Sequence, residues 1–236
     1  PDLYRLTGSR CFTSQAWGIP FACFVGSGSM GRRPTSVADG RLYYIVGASG
    51  VGKDSLMQYA RSHLSPDARV AFAHRYITRA HDAGGENHIA LSAEEFELRK
   101  RHGAFAMDWS THGYRYGVGT EIHYWLATGL SVVVNGSRGY LGTALESYPD
   151  LKVVWVTAAQ EVILRRLEGR GRESGEQIAQ RVNRNVSAMP ARASGFMMLL
   201  DNSGPLEIAG ERLVALLETG SDVPAVSPAC GGLHGS

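Results

Sequence analysis

The sequence predicts an α/β fold in three layers, a central parallel sheet with helices over both faces, and three observations predict it. A short apolar run at 42–46 leads at once into Gly47-Ala48-Ser49-Gly50-Val51-Gly52-Lys53, and helical spacing follows. Apolar runs of strand length recur at 131–134, 151–157 and 196–200. Between them, apolar residues fall three and four apart, the spacing of helices that cross from one parallel strand to the next.

Residues 1–40 differ from the rest, being rich in Gly, Ser and Pro with no sustained period. An apolar patch at 16–25 behind Arg5 and Arg10 imitates a signal peptide but lacks a small-x-small cleavage site. Met30 is a candidate true start, and the myristoylation pattern that follows it arises readily by chance. The segment is read as a disordered leader.

The strand at 42–46 opens the folded part, and Leu56, Met57, Ala60 and Leu64 share one side of a helix over 54–64. A second strand is expected over 69–76. Ser92 with Glu95 three residues later is a capping box, starting a helix that ends near Gly103. Strands at 105–109 and 114–118 flank a His112-Gly113 turn. Residues 74–120 thus form a small mixed insert between two strand–helix units. The parallel pattern then resumes with a helix at 122–127 and a strand at 131–134 that ends on Asn135-Gly136. A helix at 141–148, the strand at 151–157, helices at 161–167 and 176–189, the strand at 196–200 and a helix at 206–217 complete it. The folded domain is therefore set at 41–219, with a lid at about 165–184 and a tail from 220.

The chain of 236 residues suits one domain with a sizeable core, and 44% apolar with 19% charged residues is ordinary for a globular protein. A net charge of +2 gives no global field for nucleic acid. No apolar run approaches the length of about 20 residues that a membrane span needs. Cys11, Cys23 and Cys230 lie near the ends with no Cys-x-x-Cys spacing, so neither a zinc site nor a disulfide framework is indicated, and the cytoplasm fits.

Strand, glycine-rich turn and helix in that order make G-x-x-x-x-G-K meaningful as a phosphate-binding P-loop. Gly47, Gly50 and Gly52 let successive N–H groups, those of Ala48, Ser49, Val51, Asp54 and Ser55 among them, turn toward a phosphate. The helix adds its positive end, and Lys53 reaches the β- and γ-phosphates of ATP. An ordinary strand-to-helix turn with a solvated lysine is the plainer reading. Where such loops have Ser or Thr for Mg²⁺, this chain has Asp54, then Ser55; which of the two holds the metal stays open here.

Arg165, Arg166, Arg170, Arg172, Arg181 and Arg184 surround a glycine-rich turn, and Arg166 and Arg170 share a helical face. Beside a P-loop they suit a lid that closes guanidinium groups on a moving phosphoryl and excludes water; alone they would be a solvated face paired with Glu168, Glu173 and Glu176. In the insert, Arg75, Arg79, His88, Asp108, His112 and Tyr116 form a third set. The two arginines suit an anionic acceptor and Asp108 suits sugar hydroxyls. Neither a Ser/His/Asp triad nor a metal-ligand cluster is evident. An acceptor that is already an ionised phosphate needs no general base. Asn135 to Arg138 end a strand facing the crevice where such sheets bind ligands, and they are candidates for acceptor or magnesium contact. Asn202, ending the last strand, is expected beside adenine.

From the first strand to about residue 217 the chain resembles the guanylate kinase family. The likeness lies in Arg79, Ser92-Ala93-Glu94-Glu95-Phe96, Asp108-Trp109 before Tyr116-Gly117, and Arg166-Leu167-Glu168-Gly169-Arg170-Gly171. That resemblance implies Arg79 and Tyr116 on the acceptor phosphate, and Arg166, Arg170 and Arg181 on the donor phosphates. The acceptor site departs from it. Asp82 falls where the second phosphate arginine is expected, Val118 where a serine reads guanine, and His88 in place of a tyrosine. A valine cannot donate to a guanine carbonyl, so GMP should fit poorly.

Gly52-Lys53-Asp54-Ser55, Arg75-Tyr76-Ile77-Thr78-Arg79, Gly84-Gly85-Glu86-Asn87-His88 and Val134-Asn135-Gly136-Ser137-Arg138 resemble more closely the ribose 1,5-bisphosphate phosphokinase (PhnN) family of phosphonate catabolism. This resemblance implies phosphoryl transfer from ATP, with Mg²⁺, to the 1-phosphate of ribose 1,5-bisphosphate, giving 5-phosphoribosyl 1-diphosphate and ADP. It implies no nucleic acid or membrane partner, and a homodimer is left open. Guanylate kinase activity is the rival enzyme reading, and a non-catalytic guanylate kinase-like interaction module the rival of another class. Intact loop glycines and Lys53 argue against the module.

Overall fold

The computed structural model describes residues 40–80, 88–169 and 196–221. The leader to residue 39, the 84–87 part of the insert, Arg170 and Arg181 with most of the lid, the 176–189 helix and the tail from 222 lie outside the described residues.

Five strands build a parallel sheet: β1 (Leu42–Gly47), β2 (Val70–Phe72), β7 (Ser131–Asn135), β8 (Lys152–Thr157) and β9 (Met197–Asp201). Their order is β2-β7-β1-β8-β9, with β1 central. Leu42 to Val46 of β1 are all buried, which is why its sequence is an unbroken apolar run rather than an alternating one. One face carries α1 (Lys53–His63), α5 (Gln160–Glu168) and α6 (Leu206–Thr219), which bring Leu56, Ala60, Ile163, Leu167 and Leu213 against Tyr43, Ile45 and Val156. The other carries α3 (Glu121–Ala127) and α4 (Leu141–Ser147), with Ile122, Leu141 and Ala144 against Tyr44, Val46 and Val134. The fold is α/β with a five-stranded parallel sheet.

A second sheet, in the order β4-β3-β6-β5, is built from β3 (Arg75–Ile77), β4 (Ile89–Ala90), β5 (Phe105–Thr111) and β6 (Tyr114–Gly119). The segment expected as one strand over 69–76 is two strands in two sheets. The Ala73 N–H still reaches the Val133 carbonyl of β7, and two residues later Arg75 opposes Val118 of β6. The β5–β6 hairpin turns at His112 and Gly113, both at positive φ (51° and 78°), the geometry that a tight two-residue hairpin demands. Helix α2 (Ala93–Arg101) is capped by Ser92, whose hydroxyl accepts from the Glu95 N–H at 3.1 Å. The expected return half of the capping box does not form, because the Glu95 carboxylate turns forward to Arg99 one helical turn on.

Parallel register places the site. Ile45 of β1 lies opposite Asn135 of β7, and Gly47 opposite Val156 of β8, so the glycine-rich loop and the segment after Asn135 leave the same edge of the sheet side by side.

Candidate active site

The loop from Gly47 to Lys53 is held by close contacts. A side chain on Gly47 would meet the Val156 carbonyl oxygen at 2.5 Å, so the strand can approach β8 only as glycine. Gly52 is the N-cap of α1 at φ 94°, in the left-handed region, where a Cβ would stand 2.5 Å from Nδ2 of Asn202. The Val51 carbonyl accepts two hydrogen bonds, from Asn202 Nδ2 at 2.7 Å and from Arg166 Nη1 at 3.1 Å. Asn202 is 1% exposed and braces the loop through its bond to Val51. Arg166, on α5, thus stands at the glycine-rich loop.

Lys53 folds its ammonium onto the carbonyls of Gly47 at 3.0 Å and Ala48 at 3.1 Å. Both bonds lie within the loop, so the charge sits at the mouth of the phosphate cradle. Asp54 follows in the first turn of α1, where the helix dipole favours a carboxylate. Asn135 Nδ2 donates to Asp54 Oδ1 at 2.8 Å. Asn135 is 4% exposed, and among the described residues its Oδ1 has no hydrogen-bond partner. Ser55 is exposed one residue on. Asp54, Ser55 and Asn135 share a cavity of about 530 Å³ along α1, with Gln58, Arg61 and Phe72. Among the described residues no three His, Cys, Asp or Glu side chains cluster as metal ligands. The residues that fit a divalent cation are therefore Asp54, Ser55 and the Oδ1 of Asn135, hard oxygen donors that leave most coordination to phosphate and water.

After Asn135 the chain is pinned by Tyr44. Its hydroxyl accepts from the Ser137 N–H at 2.9 Å and donates to the Ser137 carbonyl at 3.1 Å, and its ring lies where a Cβ on Gly136 would be, at 2.3 Å. Burial pushes the Tyr44 phenol well above the ordinary tyrosine range. Arg138 follows in a half-buried 3-10 turn (Arg138–Tyr140), and burial pulls its guanidinium below the usual value.

The insert supplies the remaining candidates. The Arg75 guanidinium lies 5.3 Å over the Tyr116 ring. His88, 8% exposed, donates from Nε2 to the Arg79 carbonyl at 3.1 Å, because that oxygen can only accept. Nε and Nη2 of Arg79 are buried with no hydrogen-bond partner among the described residues. Asp108 faces the other way. It pairs with Lys100 of α2, and strand alternation puts it on the side of the sheet opposite Trp109 and Tyr116, though its charge still reaches the Tyr140 phenol. Its carboxylate holds the Lys100 ammonium above the usual lysine value. His112 is exposed in the hairpin turn.

Sequence reading gave no role to Tyr44 or Tyr140, and named Trp109 and Gly136 only as members of longer motifs. Gly136 carried the one legible signal, a glycine ending a strand where a neighbour must come close.

No family model matches the chain. A protein of Burkholderia pseudomallei named "Ribose 1,5-bisphosphate phosphokinase PhnN" is 52% identical over 179 residues, covering 75% of this chain and 95% of that protein. Proteins of the same name from Thiobacillus denitrificans and Desulfomicrobium baculatum are 49% and 50% identical, each with 94% of its length covered and with 77% and 75% of this chain. Among solved structures, guanylate kinase from Anaplasma phagocytophilum is similar at a TM-score of 0.53 and 14% identity, over 79% of this chain and 89% of that one. At that identity the likeness shows the fold alone.

Proposed function

The chain belongs to the ribose 1,5-bisphosphate phosphokinase PhnN family, and from that membership we propose that it transfers the γ-phosphoryl group of ATP to the 1-phosphate of ribose 1,5-bisphosphate. An oxygen of the 1-phosphate forms the new bond to phosphorus while the bond to the β-phosphate oxygen breaks. The products are 5-phosphoribosyl 1-diphosphate and ADP. The observation that carries the reading is the Asn135–Asp54 hydrogen bond. It fastens the 135–138 segment, on the acceptor side, to the first turn behind the phosphate loop, so donor and acceptor groups are held as one frame.

The loop amides and the α1 N-terminus bind the donor phosphates. Lys53 exchanges its two loop carbonyls for phosphate oxygens, and Arg166 stands beside Val51 to neutralise charge on the moving group. Arg75, Arg79, His88, Tyr116 and Arg138 serve the two acceptor phosphates. No residue need remove a proton, since the attacking phosphate oxygen is already ionised. Asp54, with Ser55 and Asn135, would hold Mg²⁺, which when bound screens the phosphate charges and orients the γ-phosphate.

Phosphorus NMR of the protein with ATP and ribose 1,5-bisphosphate tests the reading. A new pair of coupled diphosphate resonances beside those of ADP is expected, absent with Lys53→Ala. Faster turnover of GMP than of the sugar bisphosphate would overturn it.

A further inference from the structure

Along β5 and β6, Met107, Trp109, Tyr116 and Val118 point to the same side and are 1%, 9%, 8% and 0% exposed. They join the core cluster that includes Leu141. Trp109 stands in the middle of an aromatic pile. Its indole lies 5.6 Å from the Tyr116 ring at an interplanar angle of 3°, and 5.4 Å from the Tyr140 ring at 28°. The two tyrosines come from different parts of the molecule. Tyr116 lies in the insert sheet under the Arg75 guanidinium, and Tyr140 ends the turn that begins at Arg138. The pile therefore joins the tyrosine under Arg75 to the turn that holds Arg138, the two arginines read above as serving the acceptor.

Two tyrosine rings, at 3° and 28° to the indole and 5.6 and 5.4 Å from it, make a stacking position suited to a flat aromatic group. Indole and purine are both fused five- and six-membered rings of nearly equal size. We propose that Trp109 is a built-in stand-in for a base: it occupies the stacking position against Tyr116 and Tyr140, so that the acceptor pocket takes a sugar phosphate and excludes a purine nucleotide. This rests on the acceptor reading above and adds the residue that sets its specificity. Met107 and Val118, on the same face, offer no hydrogen-bonding group to a base edge, so stacking is the only interaction that position could give a purine.

Equilibrium binding of GMP in the presence of ADP and Mg²⁺ tests it, with circular dichroism as the check on folding. Wild-type protein and Trp109→Phe should bind GMP weakly, and Trp109→Ala at least about tenfold more tightly, the worth of one base stacked on aromatic rings. Free indole should compete with GMP for Trp109→Ala, a readout that a merely structural role would not produce. A folded Trp109→Ala whose GMP affinity equals that of the wild type overturns the proposal. Should that variant not fold, competition in the wild type decides. Ribose 5-phosphate displacing the sugar bisphosphate while GMP does not supports the occupied stacking position, and GMP displacing it equally well overturns it. Failure of the wild type to phosphorylate ribose 1,5-bisphosphate would sink the functional reading but leave the GMP comparison intact.

Discussion

Asn135, the last residue of β7, gives one amide hydrogen to Asp54 in the first turn of α1 at 2.8 Å, and its remaining oxygen is buried without a partner among the described residues. The amide orientation follows from chemistry, since an ionised carboxylate can only accept. A neutral partner fixes the carboxylate without adding a second negative charge. Asn135→Leu, similar in size, removes both the donor to Asp54 and the Oδ1 that fits a cation, and should weaken Mn²⁺ binding in the presence of ADP by at least about tenfold. Electron paramagnetic resonance of free Mn²⁺ measures this directly. Unchanged affinity would leave the hydrogen bond without a role at the metal.

Gly52 combines a left-handed φ of 94° with a Cβ position only 2.5 Å from the Asn202 amide. Gly52→Ala meets both penalties, a backbone cost of about 1–2 kcal/mol and displacement of the brace on Val51. Nucleotide affinity should fall by at least about tenfold while α1 and the sheet survive, because the disturbance is confined to the loop. Isothermal titration with ADP, beside a thermal melt, separates the two effects.

The glycine-rich loop was legible because strand, turn and helix lie within a few dozen residues, although the neighbours its glycines answer to, Val156, Ile163 and Asn202, come from later elements. Locality also made the Ser92 cap and the His112-Gly113 hairpin legible. What stayed hidden is made by residues far apart in sequence. Tyr44 meets Gly136 and Ser137 from the neighbouring strand, Trp109 of the insert sheet meets Tyr140 of the turn after β7, and Val51 receives Arg166 and Asn202 from two later elements. The split of the 69–76 run was also invisible, since Val70 to Phe72 and Arg75 to Ile77 have similar strand propensity and only their partners differ. Asp108 was read from its charge, its place in the insert and its likeness to a family landmark. Strand alternation, counted from the turn, puts it on the α2 face with Lys100.

Tyr44→Phe removes the hydroxyl that both gives to and takes from Ser137, leaving two backbone groups short of a partner. The cost should be about 1–3 kcal/mol in stability. The pH dependence has a definite sign. The folded-state pKa lies above the ordinary value of 10.0, so Tyr44 leaves stability intact below that pH. Above it the unfolded chain ionises first, and stability falls as pH rises toward the folded pKa. Denaturant titrations from pH 8 to 11 should show an alkaline loss that is shallower in the variant.

Arg79 is built at a loss. Two of its guanidinium nitrogens are buried without partners among the described residues, which costs about 1–3 kcal/mol per unsatisfied group. A fold gains nothing from such a residue, whereas an acceptor phosphate would satisfy both donors in one bidentate contact. Arg79→Met keeps the length of the side chain and removes the unpaired donors. The melting temperature should therefore hold steady or rise, while KM for ribose 1,5-bisphosphate climbs at least about tenfold with a smaller change in kcat. The opposite pattern, a lower melting temperature with unchanged KM, would make Arg79 a structural residue and move the acceptor phosphate elsewhere.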